Sequence, residues 1–141
     1  MNIRLSVYAD RVHQKKGYIT EVDGRVIDKK IRSFEGDNIK ENALSMIHKG
    51  LLSCRNKVSH EDVIIIEVQN QHLTSWLNGF KEYKEYAEYL DSIFEVIENL
   101  DCRYRFVFVS KPSAKDFVSF GSVSTMVENT VSVDSMFNDF Q

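Results

Sequence analysis

The chain has little cysteine and no long apolar run. Its only cysteines are Cys54 and Cys102, which form neither a CxxC pair nor a metal-ligand spacing. This excludes a disulfide framework and a structural zinc site, and we expect both residues to be small buried side chains. No stretch approaches about 18 uncharged apolar residues, and the alternating "NIRLSVYA" at the start lacks the order of a secretory signal. Neither a membrane span nor an export signal is expected, so the predicted location is the cytoplasm.

Signatures of common catalytic centres are also missing. No HExxH motif or other ligand spacing links the four histidines, and no serine or cysteine lies in a nucleophile motif. The composition is that of an ordinary globular protein, with 43% hydrophobic and 28% charged residues in 141. A chain of this length forms one domain with a sizeable core.

The net charge of -3 conceals an asymmetry between the two halves. Residues 1–60 carry 12 Lys/Arg against 7 Asp/Glu, a balance of +5, and residues 61–141 carry 6 against 14, a balance of -8. The basic half is therefore the part that can face phosphate, although solvated surface charge explains the same balance.

The first half of the chain predicts three strands and a helix. Residues 3–9 alternate between apolar and polar side chains, and this strand ends at Asp10. Two further strand-like runs flank Asp23-Gly24, a dipeptide typical of tight hairpins. A helical spacing of apolar residues follows, with Asp37 or Asn38 as its N-cap. The pattern indicates a three-stranded meander with a helix packed on it.

The second half predicts two more strands separated by a helix. "VIIIEVQNQ", residues 63–71, is apolar up to Glu67, as in a strand that is covered on both faces and parallel to its neighbour. Residues 80–100 have the periodicity of an amphipathic helix, and "CRYRFVFV" is a further strand. Beyond Pro112 we expect a weak helix or a loop, and then a tail without core periodicity.

This order of elements resembles the ribonuclease H-like fold, an α/β fold with a mixed five-stranded sheet, three strands antiparallel and two parallel, and flanking helices. The first and fourth strands of that fold lie side by side, so Asp10 and Glu67 are expected to lie close together. Two neighbouring carboxylates repel unless a divalent cation shares them. Such a site suits Mg²⁺ or Mn²⁺ and two-metal phosphodiester hydrolysis. The alternative is that Glu67 is half exposed or pairs with a Lys or Arg.

Two segments resemble RuvC-type Holliday-junction resolvases more specifically. In "VYADRVHQKKGYITEVDGRVID" an acid ends the first strand and Gly17 follows seven residues later, and "HEDVIIIEVQNQ" is similar to the family's fourth strand. A fainter similarity covers "KPSAKDFVSFGSVSTMV". The resemblance implies a nuclease of branched DNA in which Asp10 and Glu67 bind Mg²⁺, Asp116 or Glu128 completes the site, and a metal-activated water attacks the phosphodiester. It also allows a dimer.

The sequence departs from that family at two points. Arg11-Val12 replaces a small turn after the first acid, and no clear pair of acids occupies the C-terminal helix. A binding protein descended from a nuclease is therefore an open alternative. Ribonuclease HI, which acts on RNA–DNA hybrid, is a further one, because Asn38 to Glu41 resembles the start of its first helix. Gln69 then stands where that family has an acid.

A cluster of cations in the predicted meander is a candidate for phosphate contacts. We expect a basic strip that binds nucleic acid and consists of Lys15, Lys16, Lys29, Lys30 and Arg32. Solvated hairpin charge is the alternative explanation.

The end of the chain carries a second candidate site. "VSVDSMFNDF", residues 131–140, resembles the C-terminal peptides with which phage replicative polymerases and late-transcription factors bind a sliding clamp. Apolar anchors and acids for a basic rim are both present, as Asp134, Met136, Phe137, Asp139 and Phe140. The resemblance implies docking on a sliding clamp or polymerase during phage-like replication, recombination or transcription, in the host cytoplasm. Alternatively, the two phenylalanines fold back on the domain, or the tail acts like that of a single-strand-binding protein.

We therefore divide the chain into a ribonuclease H-like domain, residues 1–129, and a flexible C-terminal tail, residues 130–141, as a possible docking peptide.

Overall fold

The structure is a computed structural model that describes residues 2–79 and 85–123. Its elements follow the predicted order, with one additional short helix, α2. They are β1 (Asn2–Asp10), β2 (Lys15–Val22), β3 (Arg25–Ser33), α1 (Ile39–Leu52), β4 (Val63–Val68), α2 (Gln71–Leu77), α3 (Ala87–Leu100), β5 (Arg103–Phe108) and α4 (Ala114–Phe120).

The five strands form one mixed sheet in the order β3-β2-β1-β4-β5. β2 is antiparallel to both β1 and β3, whereas β4 pairs in parallel with β1 and with β5. This arrangement confirms the predicted α/β class and the adjacency of the first and fourth strands. None of the described helices is long and apolar enough to cross a membrane.

The main core lies between the sheet and the pair α1 and α3. Alternate β1 side chains from Ile3 to Ala9 point to this side and are fully buried. The N-cap of α1 is Asn38, one of the two predicted candidates, and its side chain accepts hydrogen bonds from the backbone N–H groups of Lys40 and Glu41. It approaches β1 closely at Gly50, where a Cβ would lie 2.5 Å from Leu5 Cδ1. Burial of this face positions β1 and β4 at the centre of the domain.

α4 packs on the opposite face of the sheet. The segment beyond Pro112, for which the sequence left a weak helix or a loop open, is therefore helical. α4 contacts β1 and β2, and Gly17 on β2 allows this approach. A Cβ at Gly17 would lie 2.2 Å from the carbonyl oxygen of Lys30 and 2.9 Å from Val118 Cγ2. The side chains of β1 that point to this face therefore meet α4 rather than the main core.

Candidate functional site where β1, β4 and α4 meet

Asp10 and Glu67 lie on the same face of the sheet but not next to each other. The residue opposite Glu67 in the parallel β1–β4 pair is Ser6. Asp10 is four residues further along β1, roughly 13 Å away at about 3.3 Å per residue. The register therefore does not support the expected shared pocket, because β1 continues well beyond the end of β4. A shared cation needs oxygen ligands within about 2–2.6 Å of it, and this backbone spacing does not bring the two strand positions together.

α4 occupies the space between the two acids. At its start, the backbone N–H of Ser113 donates to Glu67 Oε1 at 3.2 Å. At its end, Ser119 Oγ donates to Asp10 Oδ2 at 2.5 Å. Each carboxylate therefore anchors one end of the same helix.

Asp10 is buried and surrounded by hydrogen-bond donors. Besides Ser119, the backbone N–H of His13 binds Oδ1 at 3.0 Å and the Nδ1 atom of His13 lies 2.7 Å from Oδ2. Burial alone would raise the pKa of Asp10, but the hydrogen bonds from Ser119 and His13 outweigh it and lower the pKa from 3.8 to about 2. Asp10 is an ionised carboxylate that ties the β1–β2 turn to α4.

Glu67 is likewise buried, and its charge is balanced by protein groups. Arg4 Nε lies 3.6 Å from Glu67 Oε2, and Ser113 supplies a backbone N–H. On the neighbouring strand, Ser6 Oγ accepts a hydrogen bond of 2.9 Å from the backbone N–H of Ala114. A hydroxyl thus occupies the position beside Glu67 where a second carboxylate would help to bind a metal. Glu67 pairs with an arginine, as in the simpler alternative from the sequence.

The described side chains do not fit the expected Mg²⁺ or Mn²⁺ site. Within residues 2–79 and 85–123 there is no group of three or more His, Cys, Asp or Glu placed to hold a metal ion. Asp116, the proposed third acid, is exposed in the first turn of α4. Glu128 lies outside the described residues. No metal-dependent step can be assigned to Asp10 and Glu67 acting together.

The residues of the ribonuclease HI alternative do not complete the site either. Gln69 Nε2 donates to the carbonyl oxygen of Ala9, and Gln69 Oε1 accepts from the backbone N–H of Ala9. This side chain extends the β1–β4 pairing past the end of β4. Glu41 is exposed on α1, on the opposite side of the sheet from Asp10.

The five predicted basic residues do not form one strip. Side chains alternate along a strand, and the β1–β2 and β2–β3 registers place two of the five, Lys15 and Lys29, on the α4 face. Lys15 Nζ donates to the carbonyl oxygens of Ser119, at 3.4 Å, and Gly121, at 2.5 Å, and so binds the C-terminal end of α4. Lys29 Nζ lies 5.4 Å from the centre of the Phe117 ring.

The other three basic residues share the α1 face of β2 and β3. Lys16 on β2 is opposite Arg32 on β3. Lys30 lies two residues before Arg32 on β3, so its side chain leaves the same face of the sheet. Lys49, in the last turn of α1, adds a cation that the sequence analysis did not include. We call Lys16, Lys30, Arg32 and Lys49 the basic cluster. The pKa of Lys16 is lowered, first by burial and also by the positive charges of Lys49 and Arg32, although Glu35 opposes the shift.

The predicted tail site lies outside the described residues. This applies to Asp134, Met136, Phe137, Asp139 and Phe140, and to the boundary between residues 129 and 130.

No protein-family model and no curated protein sequence matches this chain. Solved structures do. RNase H1 from the halophilic archaeon Halobacterium salinarum NRC-1 is 11% identical, with a TM-score of 0.64 over 83% of this chain and 90% of that one. The N-terminal RNase H domain of rv2228c from Mycobacterium tuberculosis is 9% identical, with a TM-score of 0.65 over 82% and 86%.

A third similar structure is LC11-RNase H1 in complex with RNA/DNA hybrid, 13% identical, with a TM-score of 0.64 over 80% of this chain and 87% of that chain. At such low identity the likeness concerns the backbone arrangement alone. Together with the observed strand order, it establishes that the described part of this chain has the ribonuclease H-like fold.

Proposed function

We propose that this protein binds nucleic acid through the basic cluster and that Asp10 and Glu67 have become structural residues. The observation that carries the proposal is the contrast between two faces of one sheet. On the α4 face the two acids are occupied in holding a helix. The α1 face carries the four cations of the basic cluster. One solved structure with this fold contains a protein bound to RNA/DNA hybrid, which supports nucleic acid as the ligand.

The basic cluster has the charge that a phosphate backbone requires. Among the strand residues of this face, three cations, Lys16, Lys30 and Arg32, outnumber one acid, Asp28. Asp28 is itself engaged, because it accepts a hydrogen bond of 2.8 Å from the Tyr18 hydroxyl. Lys and Arg contacts to phosphate supply most of the sequence-independent affinity for nucleic acid.

The separation of the acids favours binding over hydrolysis. Two-metal hydrolysis needs ions about 3.5–4 Å apart, held by carboxylates that converge on them. Here Ser6, not an acid, lies beside Glu67. The spacing from Asp10 to Gly17, which carried the resolvase resemblance, is explained by packing, since Gly17 makes room for α4. We therefore favour a binding descendant of a nuclease over an active resolvase. The resemblance of the tail to clamp-binding peptides is our reason to propose a role in phage-like replication, recombination or transcription.

Fluorescence anisotropy with labelled RNA–DNA hybrid and branched DNA tests this proposal. The full chain should bind in EDTA, and affinity should fall about tenfold or more in the double variant Lys30→Gln/Arg32→Gln, with a shallower salt dependence. The matched control is Lys29→Gln/Lys111→Gln, which removes the same charge from exposed positions outside the cluster. Equal losses in the two double variants, or none in either, would refute the assignment.

The tail supports a second proposed role, docking on a sliding clamp or polymerase. Its acidic and aromatic sequence at residues 131–140 favours this role. In the full chain, Phe137→Ala/Phe140→Ala should abolish binding to a phage sliding clamp while affinity for nucleic acid stays unchanged. Clamp binding by the variant at wild-type strength would refute tail docking and would leave the basic cluster untouched.

A further inference from the structure

The least expected cation in the basic cluster is Lys16, because it is almost completely buried. Its side chain is 5% exposed, and Nζ lies 3.7 Å from Glu35 Oε1. That distance is longer than a direct hydrogen bond, and the Glu35 side chain is 84% exposed. A buried ammonium normally has close acceptors, since burial of a charge without them is costly. The exposed carboxylate of Glu35 therefore compensates the charge of the Lys16 ammonium only weakly.

The charges of two further cations act on this ammonium. Arg32 is the cross-strand neighbour of Lys16 in the β2–β3 pair, so both side chains leave the same face of the sheet. Lys49 comes from α1, which covers this face, and its charge acts on Lys16 together with that of Arg32. Like charges repel when they converge, so this arrangement favours an anion among them.

We propose that Lys16, Arg32 and Lys49 form a binding site for a single phosphate group of a nucleic-acid backbone. This inference rests on the proposed function and identifies its central contact. The guanidinium of Arg32 offers paired donors to two phosphate oxygens, whereas the two lysines act as compact charges. A phosphate supplies more acceptor oxygens than the single carboxylate of Glu35 and satisfies all three cations together.

Glu35 acts in this site as a displaceable competitor. Its backbone is fixed, because its N–H donates to Asn42 Oδ1 at 2.9 Å and its carbonyl oxygen accepts from Asn42 Nδ2 at 2.8 Å. Its side chain, by contrast, lies in solvent and can turn away without disturbing the fold. Phosphate binding should therefore exchange one acceptor for another at Lys16 Nζ, and removal of the Glu35 charge should strengthen binding.

The test uses the full chain with pyrophosphate as the first probe and NMR of the lysine ammonium groups as the readout. Pyrophosphate should shift the Lys16 signal, Glu35→Gln should tighten binding at least threefold, and Lys16→Met should weaken it at least tenfold. Lys111→Met, an exposed lysine on the β5–α4 connection, is the matched control and should bind like wild type. A purely structural Lys16–Glu35 pair predicts no gain in Glu35→Gln, and that result would overturn the inference.

A second experiment uses short DNA with either phosphodiester or uncharged methylphosphonate linkages. It distinguishes the phosphate site at Lys16 from nucleic-acid binding in general. Phosphodiester DNA should shift Lys16, and methylphosphonate DNA should not. DNA binding with no effect at Lys16 would overturn the phosphate site but leave nucleic-acid binding intact. Pyrophosphate binding at Lys16 without DNA binding would reject the proposed function and the backbone as the source of the phosphate.

Discussion

Replacement of Asp10 by asparagine should destabilise the domain, because this carboxylate holds α4 on the sheet. The variant keeps the shape of the side chain but loses the charge that accepts hydrogen bonds from Ser119 and His13. A fall of the Asp10 pKa from 3.8 to about 2 corresponds to about 2 kcal/mol of stabilisation. For a domain of this size that loss lowers the melting temperature by roughly 6–12 °C.

The stabilisation by Asp10 should also depend on pH, and the lowered pKa of this carboxyl sets the direction. Because the pKa of Asp10 is lower in the folded than in the unfolded chain, its contribution is complete above about pH 4 and is lost as the pH falls towards 2. Urea unfolding of wild type and Asp10→Asn should therefore differ by about 2 kcal/mol at pH 6 and converge near pH 2.

Two further variants separate the structural role of Asp10 from a general effect of removing a charge. Asp116→Asn, an exposed acid on the same helix, should change the free energy of unfolding by less than about 0.5 kcal/mol. Ser119→Ala should couple to Asp10→Asn in a double-mutant cycle, since the two side chains share a hydrogen bond. An Asp10→Asn variant as stable as wild type, or more stable, is the behaviour of a carboxylate kept for chemistry and would refute the structural role.

Three other variants test neighbouring parts of the account. Gly17→Ala should lower the free energy of unfolding by about 2–3 kcal/mol, measured by urea denaturation, because its Cβ would clash with a backbone oxygen of β3 and with α4; an unchanged midpoint would contradict the close packing. Gln69→Leu should cost about 1–3 kcal/mol and speed amide exchange at Ala9, whereas Gln71→Leu, exposed at the start of α2, should do neither. Glu67→Gln should destabilise the fold by about 1–3 kcal/mol whether or not Mg²⁺ is added, and destabilisation that appears only with Mg²⁺ present would indicate a metal site.

The fold was predictable because patterns of burial repeat along whole elements. The alternation in β1, the Asp23-Gly24 turn and the Asn38 cap each depend on neighbours in sequence, and the structure confirms the strands and the cap they predicted. The apolar run before Glu67 indicated a central parallel strand for the same reason. α3 extends from Ala87 to Leu100, and the predicted helix start near residue 80 lies outside the described residues.

The geometry of the site could not be predicted from local sequence patterns, because it depends on the register between β1 and β4, which are far apart in sequence. Nothing local distinguishes a pairing of Glu67 with Ser6 from one with Asp10, yet the difference moves the acids roughly 13 Å apart. The basic strip failed for a related reason. Alternation divides neighbours such as Lys15 and Lys16 between opposite faces, and Lys49 joins the cluster only through the packing of α1.

We propose that the chain uses the ribonuclease H-like fold for binding nucleic acid and not for cleavage at Asp10 and Glu67. The most direct measurement incubates the full chain with labelled RNA–DNA hybrid and branched DNA, with Mg²⁺ or with EDTA, and follows binding and cleavage together. We expect similar binding in both conditions, weakened by changes in the basic cluster, and intact substrate throughout. Mg²⁺-dependent cleavage that disappears in Asp10→Asn or Glu67→Gln variants shown to be folded would contradict the account.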